Sequence, residues 1–397
     1  MAQIKQFIPK KGNIENKMEF EEKIKKYKRS RFFRLGGLAV GLLILFIVLY
    51  LYWDNAKYTT YTQISTVSRS GSSDSRSLNH NGRVLTYSKD GISSTDTKGN
   101  VIWNETYQMQ NPIVSVNENA VAVGDYNGNI IYVMNEKGKV GEIDTNLPIR
   151  DICISKTGVV AAVLEDTKLT RLSVYNSTGE EAVKSEARMS QTGYPISVAL
   201  SDTGEVMMVS YLYVDSGVMK SSVAFYNFSD VGQNRVDRLV GGSDYTDTII
   251  PYVGFLGRDA AFAIGDSRIS FYSGADMPVS VAEKILSEEI QAAYAGGEHV
   301  ALVFLDTTGA SLYRVDVYDK KGNLLFQQNI DIEFQNILLE KSYVLIYNEQ
   351  ECVMYTLSGS QKYRGTFAKK ASLLIPTESG KRFVMVTADS IDVIELN

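Results

Sequence analysis

A tight turn recurs through this chain about every forty residues, and that spacing limits the folds open to it. The turn places Asp or Asn three residues before a Gly, after an aromatic or β-branched run. Clear copies pair Asp96 with Gly99, Asn135 with Gly138, Asn176 with Gly179 and Asp319 with Gly322; looser copies fall at Gly232, Gly274 and Gly359. From Gly99 to Gly359 the successive glycines lie 39, 41, 53, 42, 48 and 37 residues apart. A four-stranded propeller blade takes about 40–50 residues, so seven such turns imply at least seven blades.

Two further series run in phase with the first. Asp90, Asp125, Asp166, Asp215, Asp266, Asp306 and Asp389 each follow one apolar strand and precede another, with Asn348 in the matching place. That is the position of the hairpin between the second and third strands of a blade. Thr157-Gly158, Thr203-Gly204 and Ser379-Gly380 mark the hairpin before it. The count comes from the two ends. Residues 371–396 supply three strands and stop where a fourth is due, while residues 58–67 form a strand with no hairpin of its own. Pairing the two completes an eighth blade and closes the ring, which removes open sheet edges. The reading is an all-β, eight-bladed propeller, with seven blades as the alternative count. Residues 281–292 are expected to form a brief helical turn.

Charge divides the chain before the repeats begin. Residues 1–34 hold eleven Lys/Arg and four Glu, a balance of +7, while the whole chain is −5, which leaves −12 for residues 35–397. Between them, Leu35 to Trp53 is nineteen residues without a charge. At about 1.5 Å per residue a helix of that length spans roughly 28 Å, the hydrocarbon thickness of a bilayer. Lys25, Lys26, Lys28, Arg29, Arg31 and Arg34 precede the run and only Lys57 follows closely, so the tail is expected on the cytoplasmic side and the body outside. Tyr50, Tyr52 and Trp53 suit the outer interface. A cleaved signal peptide fits less well, because the basic head is long, the apolar run exceeds 7–15 residues, and bulky rings stand where small residues are needed.

The expected organisation is a basic tail (1–34), a transmembrane helix (35–53), a linker (54–57) and an extracytoplasmic propeller (58–397). Gly37 and Gly41 offer a small-residue spacing for weak helix self-association. In the tail, Phe20, Ile24 and Tyr27 lie at helical spacing among lysines, which fits either a basic helix on anionic lipid or an unstructured basic flank.

The first blade reads Asp90-Gly91, Asp96, Gly99 and Trp103, which is similar to the repeat of quinoprotein-type propellers, although the chain has only two Trp. The whole chain resembles a bacterial domain-of-unknown-function family, chiefly Gram-positive, with a basic tail, one span and an outer WD/YVTN-like propeller. Thr86-Tyr87-Ser88-Lys89-Asp90-Gly91, Gly124-Asp125-Tyr126-Asn127-Gly128-Asn129, Ser210-Tyr211-Leu212-Tyr213-Val214-Asp215 and Val223-Ala224-Phe225-Tyr226-Asn227-Phe228 carry that resemblance. It implies fold and topology and brings no activity with it.

The residues themselves point away from catalysis. His80 and His299 both fall at first-hairpin turns and are expected to be exposed. No G-x-S-x-G, H-E-x-x-H or C-x-x-C occurs, and neither a cofactor nor a metal site is expected. Cys153 and Cys352, in apolar strands, are expected to be buried free thiols. Asp suits tight turns because its side chain bonds backbone two residues on, yet seven on one face would also create a negative field. The expected function is a non-enzymatic, membrane-tethered propeller that binds or scaffolds another envelope component. A carboxylate-dependent hydrolase or lyase acting on envelope glycans is the alternative. Besides the bilayer, the expected partner is an envelope or secreted protein first and cell-wall polymer second, with no nucleic acid. The strand near Tyr58 should begin on the face of the first and third hairpins. A linker of about four residues reaches at most roughly 14 Å, so that face is expected toward the bilayer and the seven Asp away from it.

Overall fold

A computed structural model describes residues 12–54, 57–69, 74–167, 169–187 and 193–397. The chain divides into two compact units, residues 1–57 and 58–397. In the first, one continuous helix runs from Gly12 to Asp54, so the basic tail is helical over its described length. From Leu35 to Leu49 the large apolar side chains are about half exposed or more. Such a helix, apolar all round and uncovered, is long enough to cross a bilayer.

The second unit contains eight four-stranded antiparallel sheets. They are numbered as blades 1 (76–106), 2 (112–144), 3 (149–187), 4 (194–245), 5 (252–285), 6 (290–330), 7 (336–366) and 8 (373–396 with 61–68). The strands of each blade are a to d in chain order. The a strands lie against one another between blades 2 and 3, 3 and 4, 4 and 5, 6 and 7, and 8 and 1, so they ring the axis and the d strands lie outside. The fold is an eight-bladed β-propeller.

Its core is not one mass but eight seams, each a cluster of buried side chains shared by two adjacent blades. Alternation along each strand explains this, since successive side chains face the preceding and the following blade. In blade 1, Leu85 packs toward blade 2 while Val84 packs toward blade 8. The seam where the chain ends meet is the thinnest, with Val84 against Ile375, Val384, Val386 and Ile391.

That thin seam is braced by the d strand of blade 8, which comes from the start of the domain. Tyr61 pairs with Leu396 and Ser68 with Ser390, with one irregularity between Gln63 and Ser65. The Thr59 amide donates to the Asn397 carbonyl (2.8 Å) and the Arg69 amide to that of Asp389 (2.8 Å). Tyr58 and Tyr61 pack into the seam between blades 7 and 8. The buried Asp392 carboxylate of blade 8 meets the ammonium of Lys369, in the connection from blade 7, at 3.0 Å.

The recurring turn has a local cause. Asp96 Oδ1 accepts from the Lys98 and Asn100 amides at 2.8 Å, and Gly99 adopts φ 82° to complete the reversal. Asp319 does the same for Lys321 and Asn323, with Gly322 at φ 79°. Gly232 departs from the pattern: it sits in a short helix, Asp230–Gln233, inside the longest c–d connection. Residues 281–292 also depart from expectation. They belong to strands Val279–Ile285 and Ile290–Gly296; the first is an outer strand exposed along its length except at Ala282. Cys153 is half-buried and Cys352 buried; both are free. Burial pushes both thiols up, that of Cys352 to about 12.

Deleting residues 58–68 should leave strand c of blade 8 as an unpaired edge. The expected outcome is aggregation or a fall in Tm of about 5–10 °C, measured by thermal denaturation of the full chain against the deletion. An unchanged Tm would contradict the closure.

Candidate functional site

Because strand direction alternates, the b–c turns of all eight blades and the d-to-a connections share one face. The a–b and c–d turns share the other, where strand 61–68 begins. Among the described residues, the loops on the first face hold twelve acidic and four basic residues. Asp125 and Asp215 end their b strands; Asp90, Asp166, Asp266, Asp306 and Asp389 lie in the turns that follow. Asn348 takes the eighth place and accepts from the Gln350 and Glu351 amides.

The seven carboxylates are not equivalent. Asp125 accepts from the Gln110 amide (3.1 Å) and the Asn111 amide (2.7 Å), which staples the exit of blade 1 to blade 2. Asp306 holds its own turn through the Thr308 hydroxyl and the Thr308 and Ser311 amides, and the hydroxyl is the first cause of its lowered pKa. Asp166 is paired with Arg171 at 3.0 Å and Asp215 with Lys220 at 2.6 Å; these hydrogen bonds hold both carboxyls below the usual range. Asp90, Asp266 and Asp389 are exposed, and their side chains make no bond among the described residues. Four of the seven therefore build or neutralise their turns, and three remain as open charges.

Arginines that open the third strands were not singled out in the sequence. Arg268 bonds Asp247 (2.7 Å) and Glu283 (2.8 Å). Arg314 takes Glu288 through both oxygens at 2.9 Å, bonds Asp316 at 3.1 Å and lies over the Phe304 ring. These two tie connecting loops to the blades that follow, whereas Arg171 closes the b–c turn of its own blade through Asp166; the shared signal is an Arg at a strand start, shortly after the turn Asp.

The central wall offers little to acid–base chemistry. Among the eight a strands the one carboxylate is Asp151. Its Oδ1 accepts from the Ile152 amide at 2.9 Å; the residue is exposed, and desolvation by the protein around it raises its pKa. A glycosidase pair needs two carboxyls roughly 5–10 Å apart across the scissile bond, and the inner strands supply one. Among the described residues no cluster of His, Cys, Asp and Glu is grouped to hold a metal ion.

The two histidines correct the sequence reading. His80 is 1% and His299 8% exposed. Each flanks a two-residue turn of left-handed residues, Asn81-Gly82 and Gly297-Glu298. A turn that short keeps His in the sheet, where alternation points His80 into the same face as Leu78 and Leu85. Neither ring nitrogen of His80 has a partner among the described residues. Burial is the largest cause lowering both pKa values; Arg83 lowers His80 further and Glu136 opposes it.

Eight closed blades with loop-bearing faces define this class of protein, a propeller whose two rims are its accessible surfaces. The chain belongs to the family of unknown function DUF5711, which matches residues 54–396. Among solved structures it is similar to Sqt1 of Saccharomyces cerevisiae, with 9% identity and a TM-score of 0.54 over 86% of this chain and all of that one. Chaetomium thermophilum Sqt1, solved bound to the N-terminus of ribosomal protein L10, gives 12% identity and a TM-score of 0.53 with the same coverage. A eukaryotic initiation factor gives 9%, 0.52 and 85% of each chain. These likenesses show the fold alone. None of the curated proteins matches the sequence.

The depressed histidine values set an acid limit on stability. With the folded value below the unfolded one, the unfolded chain takes up protons first as pH falls, so stability present above about pH 6.5 is lost below it. Denaturant unfolding at pH 7.5 and 5.5 should show lower stability at 5.5, and His80→Gln should flatten that difference. Equal slopes in both proteins would contradict the assignment.

Proposed function

We propose that this protein is a non-enzymatic docking propeller, tethered to the cytoplasmic membrane by residues 35–53 with its N-terminus inside. It binds another envelope component through the face that carries the b–c turns. The observation that carries this reading is the division of charge. Among the described residues, twelve acids against four bases crowd the loops of one rim, while the inner wall holds a single carboxylate. A rigid ring with loops on a face suits docking, and a negative rim steers a cationic partner. The partner chemistry favoured is a basic protein surface, with cell-wall polymer second. The glycan hydrolase or lyase reading loses ground because its pair of acids is not offered by the inner strands. Tethering rests on the charge-free run and the uncovered apolar helix.

Two experiments test the reading. Protease added to intact protoplasts should degrade residues after Tyr58 and spare the tail; a protected propeller would overturn the orientation. Crosslinking of the full chain in its native membrane, with identification of what is bound, should capture a specific partner. Replacing Asp90, Asp266 and Asp389 together by Asn should leave Tm within about 2 °C, since exposed unbonded carboxylates add little to stability, and should slow association several-fold with a flatter salt dependence. A partner indifferent to their neutralisation would overturn the role given to this rim.

A further inference from the structure

The seam between blades 3 and 4 carries a hollow of about 130 Å³ that is half open to solvent. Leu172, Val174 and Val183 of blade 3 face Met207, Tyr226 and Phe228 around it, and Asp237 and Arg238 complete its lining. An apolar cavity of about 150 Å³ accommodates a benzene-sized group, so a leucine or phenylalanine side chain is the scale that fits. The floor is firm: the Tyr226 and Tyr211 hydroxyls bond at 2.9 Å, and Met207 is buried.

The two charged residues come from an unusual loop. The c–d connection of blade 4 runs from residue 228 to 238, eleven residues where the other six run two to five. It ends in two consecutive non-glycine residues with left-handed backbone, Asp237 at φ 52° and Arg238 at φ 61°. L-residues pay for that conformation, and Arg has no side-chain device to ease it. The loop is held there by the Arg238 Nη1 bond to the Phe228 carbonyl at 3.1 Å. Neither Asp237 nor Arg238 forms an ion pair among the described residues.

An exposed carboxylate and a half-buried guanidinium, adjacent in the chain and without an ion pair among the described residues, line a hollow that is part polar and part apolar, which favours a ligand carrying both charges over one carrying either. We propose that this hollow binds a small zwitterion with an apolar body, the chemistry of a free aliphatic or aromatic amino acid. Arg238 takes the carboxylate as a charge-assisted pair, Asp237 takes the ammonium, and the side chain fills the space between Val183, Met207 and Phe228. The backbone strain fits a clamp whose geometry is kept for a ligand. This site lies on the c–d turn side, apart from the acidic rim, and does not depend on the docking role.

The test uses the full chain in detergent micelles, titrated with L-leucine and L-phenylalanine by calorimetry and thermal shift. 4-Methylpentanoate, which lacks the amine, and 3-methylbutylamine, which lacks the carboxylate, serve as controls. Saturable binding of an amino acid is expected, with each control weaker by about tenfold, the loss of one charge-assisted bond. Arg238→Gln should weaken leucine about tenfold and leave 3-methylbutylamine unchanged, and Asp237→Asn should do the reverse with 4-methylpentanoate. Arg238→Gln should keep the circular dichroism spectrum of the parent chain while losing leucine affinity, separating a lost ligand contact from misfolding. The proposal is overturned by absence of saturable binding at millimolar amino acid, by equal binding of leucine and both controls, or by unchanged leucine binding in a folded Arg238→Gln.

Discussion

The strand pairing between residues 61–68 and 390–396 is the constraint on which the rest of this propeller depends. Each blade buries its side chains only against its two neighbours, so a ring with one open seam leaves two blades half-bare. The seam between blades 8 and 1 contributes the fewest buried side chains of the eight. Its persistence rests on blade 8 being a complete sheet, which only the first strand of the domain can supply. Closure also joins the two ends of the domain through hydrogen bonds such as that from the Asn397 amide to the Thr60 carbonyl.

Closure in turn fixes the two rims. Every b–c turn must fall on one face and every a–b and c–d turn on the other, so a residue type repeated at one turn position becomes a surface property. The Asp series is an instance, and so are the arginines at the third strands. Arg268 and Arg314 each join a connecting loop to the blade that follows by two acidic contacts. They stiffen the rim and cancel part of its charge, and among the seven turn Asp they leave Asp90, Asp266 and Asp389 open.

Much of the fold was legible because its cause is local. The Asp-to-Gly turn is written in four residues, as Asp96 and Asp319 show with the same two amide bonds each. The blade count followed from where the repeats begin and end. What was not legible depends on which face a residue takes, or on neighbours distant in sequence. His80 read as exposed because it adjoins Asn-Gly, but a two-residue turn keeps it within the strand, and the strand turns it into the seam. Residues 281–292 read as a helical turn, where Val279–Ile285 instead forms an outer strand. Which Asp would be paired was equally hidden, since Arg171 lies five residues from Asp166 and Lys220 five from Asp215, whereas no base reaches Asp90, Asp266 or Asp389. The hollow between blades 3 and 4 is assembled from two blades and a long loop, and no stretch of sequence announces it.

Disulfide trapping across the closing pair tests the architecture most directly. Thr62 and Glu395 are register partners at the outer edge of blade 8. In the full chain with Cys153 and Cys352 replaced by Ala, the pair Thr62→Cys and Glu395→Cys should oxidise quantitatively under native conditions. It should not do so in denaturant, and the bond should appear as faster migration on non-reducing gels. The same yield at Thr62→Cys paired with Lys381→Cys, a turn residue outside the register, or no bond at Thr62–Glu395, would contradict the closure on which the seams, the rims and their proposed uses all rest.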